Sequence, residues 1–501
     1  MKVICPKSIL IPFLLLHVLL LGPAAGFGQS ETDTASQKVL DLSVEEVALL
    51  VLQNNRDLRV QRLNPVIAGA FEKLERGAFD PELFVQAEYA EEKATETARS
   101  TGTQFEVDGS DSAIAAGVSQ FLPTGTSVDL TVDQSRSISN RAPEQQVARL
   151  GLTVTQALLQ GFGPAVNLAA VRQAELGTVA SRYELRGFVE TLLAEAEIAY
   201  WNFVLAQEQI AIFESSLEVA REQRNETELR IEVGLLPEVE AAAARAEVAR
   251  REQALIAARS LLEERRLRLL RLLSPADSFN QRINATSQPR MRTEPVKELP
   301  ERLQLAEKMR PELNEARMRM QQRRLETVVT RNGLLPRLDF FVTLGKTGYA
   351  DTFDDAFREL DGDNYDLVAG IRLSRALGNT VAEARDLAAR TTLRQAEEAL
   401  ANLRQLVLLD VHLAANDLER TRQQIAASAA TRDLQEQTLA AEQERFEVGT
   451  STTLLVSQAQ RDLLVSQIAE VEAIVNHRIA LVNLFLAEGT LLERRGIDLG
   501  P

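Results

Sequence analysis

A chain of 501 residues with net charge −16 and a single cysteine excludes several classes of protein. Its acidic surface repels nucleic acid and anionic lipid headgroups, so no nucleic-acid partner is expected. One cysteine cannot make a disulfide scaffold, and three histidines offer little for a His/Cys metal site or His-based nucleophilic catalysis.

Residues 1–28 read as a secretory signal. Lys2 and Lys7 supply positive charge, Ile9 to Leu21 is almost all apolar, and small residues follow at Ala24, Ala25 and Gly26. The run is interrupted by Pro12 and His17 and is short for a membrane helix. Cys5 precedes the run, where a lipid-anchoring cysteine would follow it. Cleavage near residues 26–28 leaves a mature chain without cysteine, which suits a bacterial periplasm or outer membrane. No later segment has roughly 18 unbroken apolar residues, so any membrane crossing must use β-strands.

Residues 28–40 are polar, and no ordered element is expected there. Ser43 and Glu46 have capping-box spacing at the start of a helix, and a second helix is expected near 66–76, after Pro65. The period then changes to two. Leu83, Val85, Ala87 and Tyr89 alternate with polar residues, as do Val128, Leu130 and Val132, and then Leu150, Leu152 and Val154. One apolar and one polar face is the pattern of a strand between lipid and a wet lumen. Segment 113–121 reads as a weaker strand, with the polar stretches 90–111 and 135–146 as long loops.

Helical periodicity returns after Leu158. Phe188, Leu192, Ala196, Ala199, Phe203, Ala206, Ile210, Phe213 and Leu217 follow steps of 3 and 4, a near-heptad seam. Arg230-Ile-Glu-Val-Gly234 interrupts it, and a return helix reaches Leu273. After a linker at 274–298, the same order recurs. It has strands near 338–345 and 366–374, a second seam from Leu393 to Leu418, and Arg445-Phe-Glu-Val-Gly449 at its break. Gly234 and Gly449 thus stand at matching points of two similar halves, which reads as internal duplication. The first repeat spans 41–273, with strands in 82–157 and a helical hairpin at 165–273. The second spans 299–490, with strands in 338–377 and a hairpin at 380–488. The fold expected is mainly α with membrane β.

This order, with Thr155-Gln-Ala-Leu-Leu-Gln-Gly161-Phe-Gly163, Ala199-Tyr-Trp-Asn-Phe-Val-Leu205 and the two Val-Gly tips, resembles the TolC family of outer-membrane efflux proteins. The resemblance implies a homotrimer, with a β-barrel in outer-membrane lipid joined to a periplasmic α-helical barrel. It implies a passive exit duct that works with a periplasmic adaptor protein and an inner-membrane transporter, and neither an enzyme nor a cofactor binder. The adaptor would dock on Val233, Gly234 and Leu235 and on Val448, Gly449 and Thr450. A coiled-coil scaffold without a pore is the alternative.

Two departures stand out. The family pattern is two strands per repeat, whereas the first repeat here offers four, so the extra hairpin 113–133 either joins the barrel wall or decorates it. Family members also often carry acidic residues past the second tip. The matching positions here, six and nine residues after Gly449, are Leu455 and Gln458. Glu240, six residues after Gly234, either supplies that carboxylate at the periplasmic entrance or is a solvated helix charge. Asp361-Gly-Asp-Asn-Tyr-Asp366 lacks the glycine and glutamate positions of a calcium loop and reads as an extracellular loop.

Overall fold

The computed structural model describes residues 39–273, 279–289 and 298–498. The signal segment 1–28, with Cys5, and linker residues 274–278 and 290–297 lie outside them. The chain opens with β1 (Val39–Leu42), α1 (Val44–Asn54), α2 (Arg56–Gln61) and α3 (Asn64–Gly77). The capping box forms as its spacing requires. The Glu46 amide donates to Ser43 Oγ at 3.2 Å and the Ser43 amide to Glu46 Oε2 at 2.7 Å. Asn55 ends α1 and caps α2, its Oδ1 accepting from the Leu58 amide at 3.0 Å.

Four long strands follow: β2 (Glu82–Thr97), β3 (Gln104–Leu122), β4 (Thr126–Ser139) and β5 (Ala142–Ala157). Stretches 90–111 and 135–146, expected as loops, are therefore largely strand, and the connections shrink to 98–103 and 140–141. Alternation is lost there because both faces are polar, as in Glu91 to Thr95, while backbone pairing continues unbroken from Glu82↔Ser119 to Thr97↔Gln104. Periodicity reports burial, and apart from Val107 and Gln146 these residues are largely exposed.

Helices α4 (Pro164–Asn167), α5 (Ala169–Glu232) and α6 (Val239–Leu273) form the first hairpin, and β6 (Arg282–Ala285) follows within the expected linker. β6 pairs in parallel with β1, so Val39 and Leu40, at the end of the polar stretch 28–40, are strand, while 28–38 lie outside the described residues. Both strands have four residues, too few for a periodicity signal. The second repeat runs α7 (Leu299–Met309), α8 (Pro311–Gly333), β7 (Arg337–Ala350), α9 (Phe353–Arg358), a 3₁₀ turn (Glu359–Asp361) and β8 (Tyr365–Ser374). It closes with α10 (Thr380–Glu447), α11 (Thr453–Glu488) and α12 (Leu491–Arg494). Of the expected loop at 361–366, Asp361 closes the 3₁₀ turn, 362–364 connect, and Tyr365 and Asp366 already belong to β8.

With 64 residues in α5 and 68 in α10, each helix is about 100 Å long at 1.5 Å per residue. Their length is held by tertiary packing rather than by intrinsic propensity. At the strand end, α3, α5, α8 and α10 lie side by side in that order. Toward the far end, α6 lies beside α5 and α11 beside α10. The main core sits at mid-length. Leu193, Tyr200, Phe203, Leu269, Leu273, Leu484 and Leu491 are fully buried there. Each such side chain contributes about 1.5–3 kcal/mol. The Tyr200 hydroxyl donates to the Leu42 carbonyl and accepts from the Ser287 amide, both at 3.0 Å, which pins β1 and the β6 segment to α5. Trp201 packs edge-on against Tyr200 within the same core.

The six long strands form one antiparallel sheet in the order β2-β3-β4-β5-β7-β8, so the hairpin 113–133 lies inside it. Register aligns Leu83, Val118, Leu130, Leu152, Leu344 and Leu367 in one row across all six strands. The opposite face carries Phe84, Gly117, Thr131, Gly151, Gly345 and Asp366 in the adjacent row. The sheet is apolar on one side and mostly small or polar on the other. β2 and β8 are its free edges.

Candidate functional site at the hairpin tips

The two helical breaks are the same object built twice. At the first, Gly234 has φ +76°, its amide donates to the Ile231 carbonyl at 3.0 Å, and the Leu235 amide donates to Arg230 at 2.8 Å. At the second, Gly449 has φ +78°, its amide donates to Phe446 at 3.1 Å, and the Thr450 amide donates to Arg445 at 2.8 Å. This pair of bonds satisfies the last carbonyls of a helix and requires the left-handed backbone that glycine accepts without strain. A Cβ on either glycine would meet nothing within 4 Å, so the tips are open to an approaching surface.

The return helices start differently. α6 begins behind Pro237, whose carbonyl accepts from the Glu240 amide at 3.1 Å. α11 begins with Thr452 as its cap, Oγ1 accepting from the Leu455 amide at 3.4 Å. The tips present apolar side chains to solvent, with Leu235 and Val448 each 74% exposed and Val233 and Leu454 also exposed. Charge pairs stay on the flanks, as in Arg230 with Glu226 at 2.6 Å and Arg445 with Glu442 at 2.7 Å. The Arg230 guanidinium also lies over the Phe446 ring, so the two tips touch.

Leu455 and Gln458 lie one turn apart on α11, and both are exposed. Glu240 is half-buried in the first turn of α6 and has no ion-pair partner among the described residues. No hydrogen bond joins it to Gln458 among the described residues.

A charge cluster that the sequence reading missed lies one helical stretch above the tips. Buried Glu247 on α6 accepts from Arg251 Nε at 2.9 Å and from Arg461 Nη1 of α11 at 2.9 Å. It joins the return helices of the two repeats. Burial lowers the pKa of Arg251, while Glu247 raises it. The i, i+4 spacing of Glu247 and Arg251 was visible in the sequence, but it is a common surface pattern. Thr453 and Gln460 are also buried on α11, and Thr453 Oγ1 and Gln460 Nε2 lack a hydrogen-bond partner among the described residues. Buried polar and apolar residues are therefore mixed near the tips, whereas the core at mid-length is apolar.

Of the two helical histidines, His412 is exposed and His477 is buried against Thr421, Nδ1 to Oγ1 at 3.2 Å. No group of three His, Cys, Asp or Glu side chains suited to a metal occurs among the described residues. No described helix is long and apolar enough to cross a membrane.

Residues 48–274 and 302–490 match the sequence profile of the family described as Outer membrane efflux protein. No curated protein matches the sequence. Among solved structures, the outer-membrane channel OprN is similar at 18% identity and TM-score 0.67, over 89% of this chain and 90% of that one. The Campylobacter jejuni CmeC outer membrane channel is 16% identical, with TM-score 0.65, over 91% and 90%. The open state of the Neisseria gonorrhoeae MtrE outer membrane channel is 18% identical, with TM-score 0.63, over 93% and 96%.

Proposed function

This chain belongs to the outer membrane efflux protein family, and from that premise we propose that three copies of it assemble into one passive exit duct. It is an outer-membrane channel that reaches into the periplasm, and it is not an enzyme. The six-stranded sheet with one apolar face carries the assembly reading. It cannot close alone, and in lipid an unpaired strand edge leaves backbone groups unsatisfied. β2 of one copy therefore pairs with β8 of the next. The helices support the same join. α3, at the β2 edge, leaves Ile67, Phe71 and Leu74 exposed along one stripe, ready for a neighbouring copy.

In this reading the tips face a periplasmic adaptor. Val233, Gly234 and Leu235, with Val448, Gly449 and Thr450, offer apolar contact around unshielded backbone. Cargo arrives from an inner-membrane transporter, so the duct itself needs no catalytic residue. Leu455, Gln458 and Glu240 border the entrance. A coiled-coil scaffold without a pore leaves the apolar row from Leu83 to Leu367 with no role.

The test is outer-membrane fractionation with chemical cross-linking of intact cells. Three-copy bands in that fraction, with heat-modifiable migration, support the duct. A monomeric, water-soluble mature protein overturns it.

A further inference from the structure

We propose that the trimer closes an eighteen-stranded barrel whose exit bore admits cargo of polypeptide size. This rests on the trimeric duct above, with six strands from each of three copies.

The wall contains all six strands. β2 and β3 pair over the whole of β2, and the apolar row continues onto them as Leu83 and Val118, then Val85 and Ala116. At a strand spacing of about 4.8 Å and a tilt of about 40°, eighteen strands have a perimeter of roughly 113 Å and a radius of about 18 Å. Twelve strands would have a perimeter of roughly 75 Å and a radius of about 12 Å. The helices supply an independent ruler. Four of them from each copy lie side by side below the sheet, so twelve at about 9–10 Å spacing have a perimeter of roughly 110–120 Å. Eighteen strands match that circumference, and the tube runs into the barrel without narrowing.

The polar face keeps the bore clear. Its rows are rich in Gly117, Gly151, Gly345, Ala113, Ala115 and Thr153. Five aromatics share that face, Phe84, Phe105, Phe121, Phe341 and Tyr349, and two of them lie on glycines. The Phe84 ring is 2.7 Å from where a Cβ of Gly117 would stand, and the Phe341 ring 2.6 Å from that of Gly370. Aromatic cover of this kind holds a glycine-rich strand without filling the space above it. The longest connection at the outer rim, 351–364, carries α9, which packs on the other side of the sheet. The Ala356 carbonyl crowds the place where a Cβ of Gly348 would stand, and Gly348 pairs with Ala148, in strand register with the apolar positions. The remaining connections at that rim, 98–103 and 140–141, are too short to cross the bore. Allowing about 5 Å of side chain on each wall leaves roughly 25 Å clear, wider than two α-helices side by side.

The test uses the full chain with a cysteine introduced as Ala115→Cys, on the polar face of β3, and graded maleimide-polyethylene glycols added outside intact cells. This route avoids the periplasmic entrance. Reagents with a hydrodynamic radius of about 10 Å are expected to react, as a barrel of eighteen strands requires. A cutoff at about 6 Å, as a twelve-stranded barrel would impose, or no reaction, overturns the wide bore. Ala113→Cys, on the same face, repeats the measurement at a second site. A fluorophore on Ala87→Cys, on the apolar face of β2, should be quenched by nitroxide-labelled lipid. Absence of quenching in membranes that still yield cross-linked trimers removes β2 from the wall and sinks the inference, leaving the duct intact. Absence of trimers sinks the duct reading instead.

Discussion

The guanidinium of Arg230 lies 4.7 Å from the centre of the Phe446 ring. Each residue belongs to the terminal turn of its own hairpin, and each supplies a carbonyl to the cap of its own tip. One cation–π contact therefore ties the two tips into one surface. At a part-exposed site it contributes about 0.5–1 kcal/mol. Arg230→Ala should speed hydrogen exchange at 229–236 and 444–451 together, while Arg230→Lys retains most protection. Faster exchange confined to 229–236 would show that the tips are independent.

Gly449→Val should cost about 1–2 kcal/mol locally, because φ +78° is a left-handed conformation that a branched residue resists. In the proposed duct, trimers form through sheet and helix edges far from this point. Export should therefore fall at least tenfold while cross-linked trimers persist. Unchanged export would remove the second tip from adaptor docking.

Glu247→Ala leaves Arg251 buried without its partner, a loss of about 3 kcal/mol or more. Arg461→Ala is milder, because Arg461 is a third exposed and Glu247 keeps Arg251. Both variants should raise resting conductance in a planar bilayer, since both cut the ion pair that joins α6 to α11. Only Glu247→Ala should lower the melting temperature by several degrees. Wild-type conductance in both variants would mean that this cluster does not hold the entrance.

Trivalent cations should block the channel weakly, because Leu455 and Gln458 replace the acidic positions and Leu455 is exposed. Leu455→Asp should strengthen block at least tenfold in the same conductance measurement. Strong block of the unaltered channel would assign that role to another carboxylate, with Glu240 the first to replace by Gln.

Glu190 lies in the upper part of α5, and burial raises its carboxyl to about 7, with Glu493 and Glu312 adding to the rise and Arg186 opposing it. The folded chain therefore holds a proton that the unfolded chain has released. The stability this confers is full below the ordinary carboxylate value of 4.5 and is lost as pH rises through 7. Its size is on the order of 3 kcal/mol at most. Glu190→Gln should match the parent at pH 4.5 and melt higher at pH 8. A constant difference across that range would place the proton elsewhere.

The expected features that appeared were those written in local chemistry. The capping box at Ser43, the alternation from Val128 to Val132 and the Val-Gly breaks each rest on contacts within a few residues. Among site residues, the tips were legible for that reason. The Glu247 cluster was not, because its third member, Arg461, lies 214 positions away in the chain. Stretches 90–111 and 135–146 give no apolar period, because mostly polar residues occupy both faces of these strand segments.

Glycine placement, heptad steps and the recurrence of the Val-Gly break establish duplication, helix type and turning points before any coordinates exist, because dihedral preference and one-sided burial act within a turn or two. Strand order does not follow from them. That β3 and β4 complete one six-stranded sheet, that α9 lies on its apolar face, and that β1 pairs with β6 all depend on hydrogen bonds between distant segments. A backbone amide carries the same chemistry at every position, so its partner across the sheet is chosen by the folded whole.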